Sequence, residues 1–331
     1  MKERVLLVCS ESPYPVVVGG FERLIKHFET YIFADYDVYL LVCRGDSLQA
    51  LLHYGVPVRD ETERARLLAQ SFAFALLMHP GFDHEDPRLI KPLIERIPSF
   101  CFTQLHPNSA IRDEQFKGII AHYSAGPHED VLLIGGAYDP AVFYKHRQAE
   151  AFILCVGRIH RAKNQLELVS QYREKIYRRH GLPLYLVGGS SDDDYYLLVS
   201  RFVDNVSVLS TSDPRHLAAD SNWRTAQQIA ALCNRARMFV MASAEETFCL
   251  ALIEAMACGT TCVVNGKYHG FDERDLRPHV FGNIAGRVGS TLDLLDEALR
   301  RDIRIDASEW VKKYALAETK PKLLAFIRAR L

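Results

Sequence analysis

The stretch from Ala236 to Val264, ARMFVMASAEETFCLALIEAMACGTTCVV, decides how this chain is read. It divides into an apolar strand-like run, an acidic loop, an apolar helix expected over Thr247–Ala257, a glycine stop at Gly259 and a second apolar run. A strand that delivers a loop onto a helix N-terminus creates an anion site, because the first backbone N–H groups of the helix lack partners within it. Glu246 stands just before the expected helix and Glu254 lies two turns inside it. A carboxylate beside an anion site is a poor ligand for phosphate but a good acceptor for sugar hydroxyls. Phosphate and sugar side by side point to a nucleotide-sugar. The plain alternative is an amphipathic helix whose acidic first turn complements its dipole.

Working outward, short apolar runs alternate with helical patterns along the chain, the pattern of doubly wound α/β domains. The runs of the first half are VLLVC from Val5, VYLLVC from Val38, FAFALLM from Phe72, FCFTQL from Phe100, GIIAHY from Gly118 and VLLI from Val131. Phe21, Leu24, Ile25, Phe28 and Ile32 mark one face of a helix between the first two. The second half offers FILCVG, LYLVGG, VSVL, MFVMAS and TCVVN, with helices expected around Ala162–Arg179, Asp193–Val203 and Arg224–Asn234. Two further helical stretches, Ser308–Ala317 and Lys320–Arg330, close the chain. At 331 residues the chain exceeds the size at which one core stops growing, so two domains are expected. The stretch YDPAVFYKHRQAEA, with its proline and charge cluster, is the expected linker.

The Ala236–Val264 stretch resembles the donor-binding signature of the large Glu-x7-Glu family of retaining glycosyltransferases with the GT-B fold, family 4-like or "group 1". That signature runs roughly S-x-x-E-x-F-G-L-x-x-L-E-A-M-A-C-G. Ser243, Glu246, Phe248, Leu250, Glu254, Ala255, Met256, Ala257, Cys258 and Gly259 match it, while Cys249 replaces a glycine and Thr260–Thr261 a Thr–Pro pair. ILCVGRIHRAKNQLELV from Ile153 is similar to the family's F-V-G-R-x-x-x-x-K-G-x-x-x-L, with Asn164 in place of glycine. Cations at a helix start oppose the dipole, so a merely solvated role for Arg158 and Lys163 is disfavoured. VVVGGFERL from Val16 resembles the family's G-G-x-E-R turn, and GGAYDPAVFY its hinge-proximal G-V-D-x-x-x-F. Paired glycines after a long loop differ from the three-glycine fingerprint of dinucleotide-binding domains, which argues against an NAD-dependent dehydrogenase. His106, in FTQLHPNS, resembles the T-x-H that the family places near the donor sugar.

The resemblance implies an α/β protein of GT-B architecture, two Rossmann-like doubly wound domains facing across a cleft. Residues 1–145 are the expected acceptor-binding domain and residues 146–305 the nucleotide-sugar donor domain. Residues 306–331 are helices expected to cross back to the first domain. It implies catalytic roles for Glu246, His106, Arg158 and Lys163, and donor binding by Gly19, Gly20, Phe248, Cys249, Leu250 and Glu254. Arg158 and Lys163 would neutralise a leaving diphosphate without a metal. The activity implied is that of a retaining hexosyltransferase moving a sugar from a UDP- or GDP-sugar to an acceptor hydroxyl by front-face attack. The acceptor, whether saccharide, lipid-linked sugar or small molecule, is not legible. No metal and no cofactor is expected beyond the nucleotide-sugar co-substrate. The alternatives are a nucleotide-sugar epimerase on the same fold and a non-catalytic nucleotide-sugar-binding module.

Other features carry weaker signals. His79 ends a strand-like run, where histidine is more often structural, and Trp223 in DSNWRTAQQ is undecided between base cover and surface. Asp192–Asp194 imitates an Asp-x-Asp metal motif but opens a helix, where acid complements the dipole. The eight cysteines form no CxxC pair, which points to buried thiols and a reducing compartment. MKERVLLVC has too short an apolar stretch for a signal peptide, and no run approaches a membrane span, so a cytoplasmic protein is expected. The net charge of -1 gives no reason to expect nucleic acid. Residues 1–145 hold 14 basic and 19 acidic residues, so peripheral membrane contact finds no support in the charge and the second half suits a diphosphate.

Overall fold

Two mainly parallel sheets organise the chain in this computed structural model, which describes residues 2–9, 20–44, 47–69, 72–78, 95–103, 116–121, 131–146, 152–190, 192–203, 207–210 and 225–331. The first unit comprises Met1–Ala137 and Leu316–Leu331, the second Tyr138–Ala315. The sequence puts the corresponding divisions at 145/146 and 305/306.

The first unit holds β1 (Arg4–Cys9), β2 (Asp37–Arg44), β3 (Ser47–His53), β4 (Val56–Pro57), β5 (Phe74–Met78), β6 (Ser99–Thr103), β7 (Gly118–Ala121) and β8 (Val131–Leu133). They form one sheet in the order β4-β3-β2-β1-β5-β6-β7-β8. β3 and β4 are antiparallel additions at one edge; the remaining pairs are parallel. β1 and β5 read as unbroken apolar runs because a parallel sheet is covered on both faces. Phe28 packs edge-on to Phe102 at 5.7 Å and Phe33 to Phe74 at 5.4 Å. Such pairs add about 0.5–1.5 kcal/mol beyond their area burial. Leu316, Leu323, Leu324 and Ile327 of the terminal helix join this core.

The second unit holds β9 (Phe152–Val156), β10 (Leu184–Val187), β11 (Ser207–Ser210), β12 (Ala236–Met241), β13 (Glu245–Glu246), β14 (Cys262–Asn265), β15 (Lys267–Tyr268) and β16 (Phe281–Asn283). Its main sheet has the order β11-β10-β9-β12-β14-β16 and is parallel throughout. Counted within the unit this is 3-2-1-4-5-6, the doubly wound order. The order reverses between β9 and β12, so the loops leaving the carboxyl ends of these two strands flank the crevice where such sheets bind ligands. Gly188, just past β10, has φ +155°, and a Cβ there would lie 2.0 Å from the Gly157 carbonyl oxygen. Only glycine lets the β9 and β10 ends approach this closely.

Several element ends differ from the sequence expectation. The helix expected from Thr247 begins at Leu250, because Glu245 and Glu246 are drawn into pairing with Lys267 and Tyr268. The Ser308–Ala317 stretch yields a short 3-10 turn, Trp310–Tyr314. The last helix is Leu316–Arg328 and runs through Pro321. The described part of the stretch read as a linker, up to His146, is tied to the second unit: Phe143 is in its core, and Asn234 bonds His146 N and Tyr144 O.

Candidate functional site at the strand-order reversal

The loop after β9 carries Gly157, Arg158 and the 3-10 turn Arg161–Lys163; the loop after β12 carries Ser243 and the short β13 with Glu246. These two loops meet. Lys163 Nζ donates to both carboxylate oxygens of Glu246, at 2.6 and 2.7 Å. Glu246 is buried, its side chain 7% exposed, while that of Lys163 is 30% exposed. Burial works against the Lys163 ammonium and Arg158 opposes it further, but Glu246 prevails and the lysine pKa is raised. Lys163 therefore stays charged. Arg158 is half-buried, and no acid among the described residues pairs with it.

The turn that presents Lys163 is fixed from behind. Asn164 takes the left-handed conformation, φ 53° and ψ 33°, one that asparagine tolerates better than most residues. Its amide reaches Glu167 Oε2 at 3.1 Å and the Ala242 carbonyl at 3.4 Å, tying the β9 loop to the end of β12. Glu167 in turn accepts from Thr291 N at 2.8 Å, Thr291 Oγ1 at 3.0 Å and the Arg287 guanidinium at 2.7 Å. Gln165 closes the turn by donating to Arg158 O at 2.7 Å.

Beside the ion pair starts the helix Leu250–Ala257. Its N-cap, Cys249, supplies no side-chain cap, and its first turn holds no acid. Three other helices of the unit are capped, Asp193–Ser200 by Asp192, Ala226–Arg235 by a Thr225–Gln228 capping box, and Thr291–Arg300 by Ser290, whereas Gln165–Tyr172 is not. Uncapped amides with the positive end of a helix dipole, next to a charged lysine, can take an anion. Phe248, just before them, is stacked on Phe271 at 4.5 Å and edge-on to Tyr314 at 5.4 Å, which holds the loop in place. Glu254 sits deeper in the helix, 1% exposed, and contributes to raising the thiol pKa values of Cys233 and Cys249.

The family described as "Glycosyl transferases group 1" matches residues 150–275. Residues 150–275 are thus similar to the group 1 glycosyltransferases. No curated protein matches the sequence as a whole. Solved structures do match in fold. HepE from Anabaena, in complex with UDP and glucose, has a TM-score of 0.65 at 14% identity, over 100% of both chains. The lipopolysaccharide outer core galactosyltransferase WaaB has 0.62 at 13% identity, over 99% of this chain and 100% of its own. The sucrose-phosphate synthase of Thermosynechococcus elongatus has 0.62 at 14% identity, over 99% and 96%. The fold is thus GT-B, and the group 1 match over residues 150–275 makes the chain a glycosyltransferase.

Of the sequence-derived site residues, this glycosyltransferase brings Lys163, Glu246 and Arg158 together beside Phe248, Cys249 and Leu250. Gly20 begins the helix Gly20–His27 of the first unit. Gly19, His106, His79 and Trp223 lie outside the described residues. Asp192 is a helix cap that also binds Arg161 at 3.0 Å. All eight cysteines are buried and none is in a disulfide. Burial pushes the Cys155 thiol up to about 12 and that of Cys249 well above its ordinary value, so neither offers a thiolate. Among the described residues no helix is long and apolar enough to cross a membrane. Sequence reasoning missed Glu167, Arg287 and Tyr268, whose roles depend on contacts far along the chain and leave no local pattern.

Proposed function

We propose that this glycosyltransferase is a retaining hexosyltransferase that uses a UDP- or GDP-sugar and transfers its sugar to an acceptor hydroxyl. The observation that carries the proposal is the Lys163–Glu246 pair beside the uncapped helix at the strand-order reversal. Lys163, Arg158 and the amides around Phe248–Leu250 suit a diphosphate; Glu246 suits the hydroxyls of the donor sugar and Glu254 those of the ribose. That HepE was crystallised with UDP and glucose supports a nucleotide-sugar of this kind. The resemblance extends the donor site to Gly19, Gly20 and His106.

In the proposed reaction the bond from the anomeric carbon to the diphosphate oxygen breaks as the acceptor oxygen attacks from the same face. The departing phosphate oxygen takes the acceptor's proton. Charge accumulates on the diphosphate in the transition state, where fixed cations and amides lower the barrier most. Lys163 and Arg158 supply that charge without calling on a divalent metal. The eight buried thiols suit a reducing compartment, and we place the enzyme in the cytoplasm.

The test is thermal shift against UDP-, GDP-, ADP- and dTDP-sugars with EDTA present. A ligand at 100 times its Kd adds about 2.7 kcal/mol of stability. A shift with one nucleotide class supports metal-free donor binding and names the donor. A folded sample that shifts with none of them refutes the proposal.

A further inference from the structure

Tyr268 ends β15 and is 4% exposed, yet its hydroxyl is sealed from solvent with no hydrogen-bond partner. An unsatisfied buried polar group costs about 1–3 kcal/mol, so native proteins keep few of them without a reason. Its position supplies one. β13 and β15 are parallel, and Glu246 and Tyr268 are partners across them. Partnered residues of adjacent strands project to the same face of a sheet. A second unpartnered hydroxyl, that of Ser243, lies in the loop that leads into β13, fully buried. Two hydroxyls without partners thus lie on β15 and in the loop into β13, the segments that frame the carboxylate whose cation is also needed elsewhere.

Lys163 is that cation. In this structure two of its three protons are committed to Glu246. A diphosphate that draws the ammonium toward itself leaves Glu246, 7% exposed, as a buried carboxylate short of donors, a costly state that invites another donor to replace the lysine. A carboxylate without a fixed donor would also lose its orientation toward the sugar hydroxyls. Tyr268 is equipped to prevent this. Burial, then Cys249 and Glu246, raise its pKa well above the ordinary phenol, so it holds its proton and can donate it in a hydrogen bond.

We propose that Tyr268 is a positioning residue for a partner exchange at Glu246: as the donor's diphosphate takes Lys163, the Tyr268 hydroxyl donates to the Glu246 carboxylate and keeps it hydrogen-bonded and oriented toward the donor sugar. This rests on the donor assignment above. It concerns a residue that never touches substrate and acts only through Glu246.

The experiment pairs each nucleotide-sugar of the thermal-shift panel that binds the wild type with its free nucleoside diphosphate, which engages Lys163 but offers Glu246 no sugar. Tyr268→Phe removes only the hydroxyl. The expected result is a melting temperature equal to or slightly above wild type, because no existing bond is lost. Affinity for the free diphosphate is unchanged, and kcat/KM for the nucleotide-sugar falls about tenfold. Unchanged kcat/KM overturns the inference, as does a melting temperature that falls together with affinity for both ligands, which marks a packing role. A wild type that binds no nucleotide-sugar sinks the donor assignment instead, so the two failures are distinguishable. A second arm needs no donor. In Lys163→Met, Glu246 has lost its cation and turns to Tyr268 permanently, so adding Tyr268→Phe lowers the melting temperature in that background although it does not in wild type. Additive effects in this double-mutant cycle also overturn the inference.

Discussion

Glu246 and Asp296 are buried alike, each 7% exposed, and each is bound by cations, yet they have opposite consequences. Asp296 is saturated. Arg179 at 3.0 Å, His180 at 2.9 Å and Arg300 at 3.0 Å converge on it from two helices. Burial raises its pKa, but His180, Arg300 and Arg179 more than offset this and hold the carboxyl below the usual range. Glu246 leans on the single ammonium of Lys163, which the proposed function also assigns to the donor's diphosphate. A carboxylate held by three separate donors fastens structure; one with a single transferable partner is poised to exchange it. The number of partners, more than depth of burial, separates a clamp from a site.

Lys163→Ala is the severest test of that contrast. Turnover should fall about 10²–10³-fold, as for loss of one transition-state charge partner. Removing the lysine also strands a buried carboxylate, at about 3 kcal/mol of stability. Adding Glu246→Gln should recover stability but not turnover, read by melting temperature and initial rates. Near-normal turnover in Lys163→Ala would remove the distinction between the two clusters.

At the clamp, Asp296→Asn should cost about 1–2 kcal/mol and leave kcat unchanged, since the released Arg179 and Arg300 side chains are 59% and 61% exposed and reach water. A drop in kcat at full folding would show that the cluster is more than a fastening. Cys249→Ser sharpens the contrast at the helix start. A serine N-cap should stabilise by less than about 1 kcal/mol while competing with phosphate for the same amides, weakening donor affinity several-fold by calorimetry. Donor affinity that is untouched would mean these amides do not anchor phosphate.

The smallest effect is expected at an exposed pair. Burial raises the Asp306 pKa, but Lys145 at 2.6 Å and Ser308 prevail and bring it to about 2. A depressed folded pKa contributes stability above the unfolded value of about 4 and loses it as pH falls through about 2. Because both side chains are about half exposed, Asp306→Asn should remove less than about 1 kcal/mol. It should also flatten the acid limb of the melting curve between pH 4 and 2.

What the sequence could show follows from how local each feature is. The continuous apolar runs at Val5, Phe152 and Met238 announce parallel strands because burial on both faces leaves nothing to alternate. The motif residues named Lys163 and Glu246, but not that they bind each other, since 83 positions separate them. β13 and β15 are two residues each, too short for any period to register. The same pairing delays the helix from Thr247 to Leu250. The helix Thr291–Arg300 went unread because its buried face includes Thr291 and Asp296, polar residues whose partners lie elsewhere in the fold. Tyr268 looks like any aromatic in a core strand; only the absence of a bond to its hydroxyl sets it apart.

The chain enters its second unit at Tyr138 and leaves at Ala315, and these two residues are themselves bridged, with Tyr138 N donating to the Tyr314 carbonyl at 3.2 Å. Genetically, residues 138–315 form a cassette whose ends meet. A segment of this kind can be exchanged between chains through one pair of adjacent joints, with no new loop to close. This second unit is therefore a natural unit for recombination, a segment that evolution or an engineer can exchange while keeping the rest of the chain.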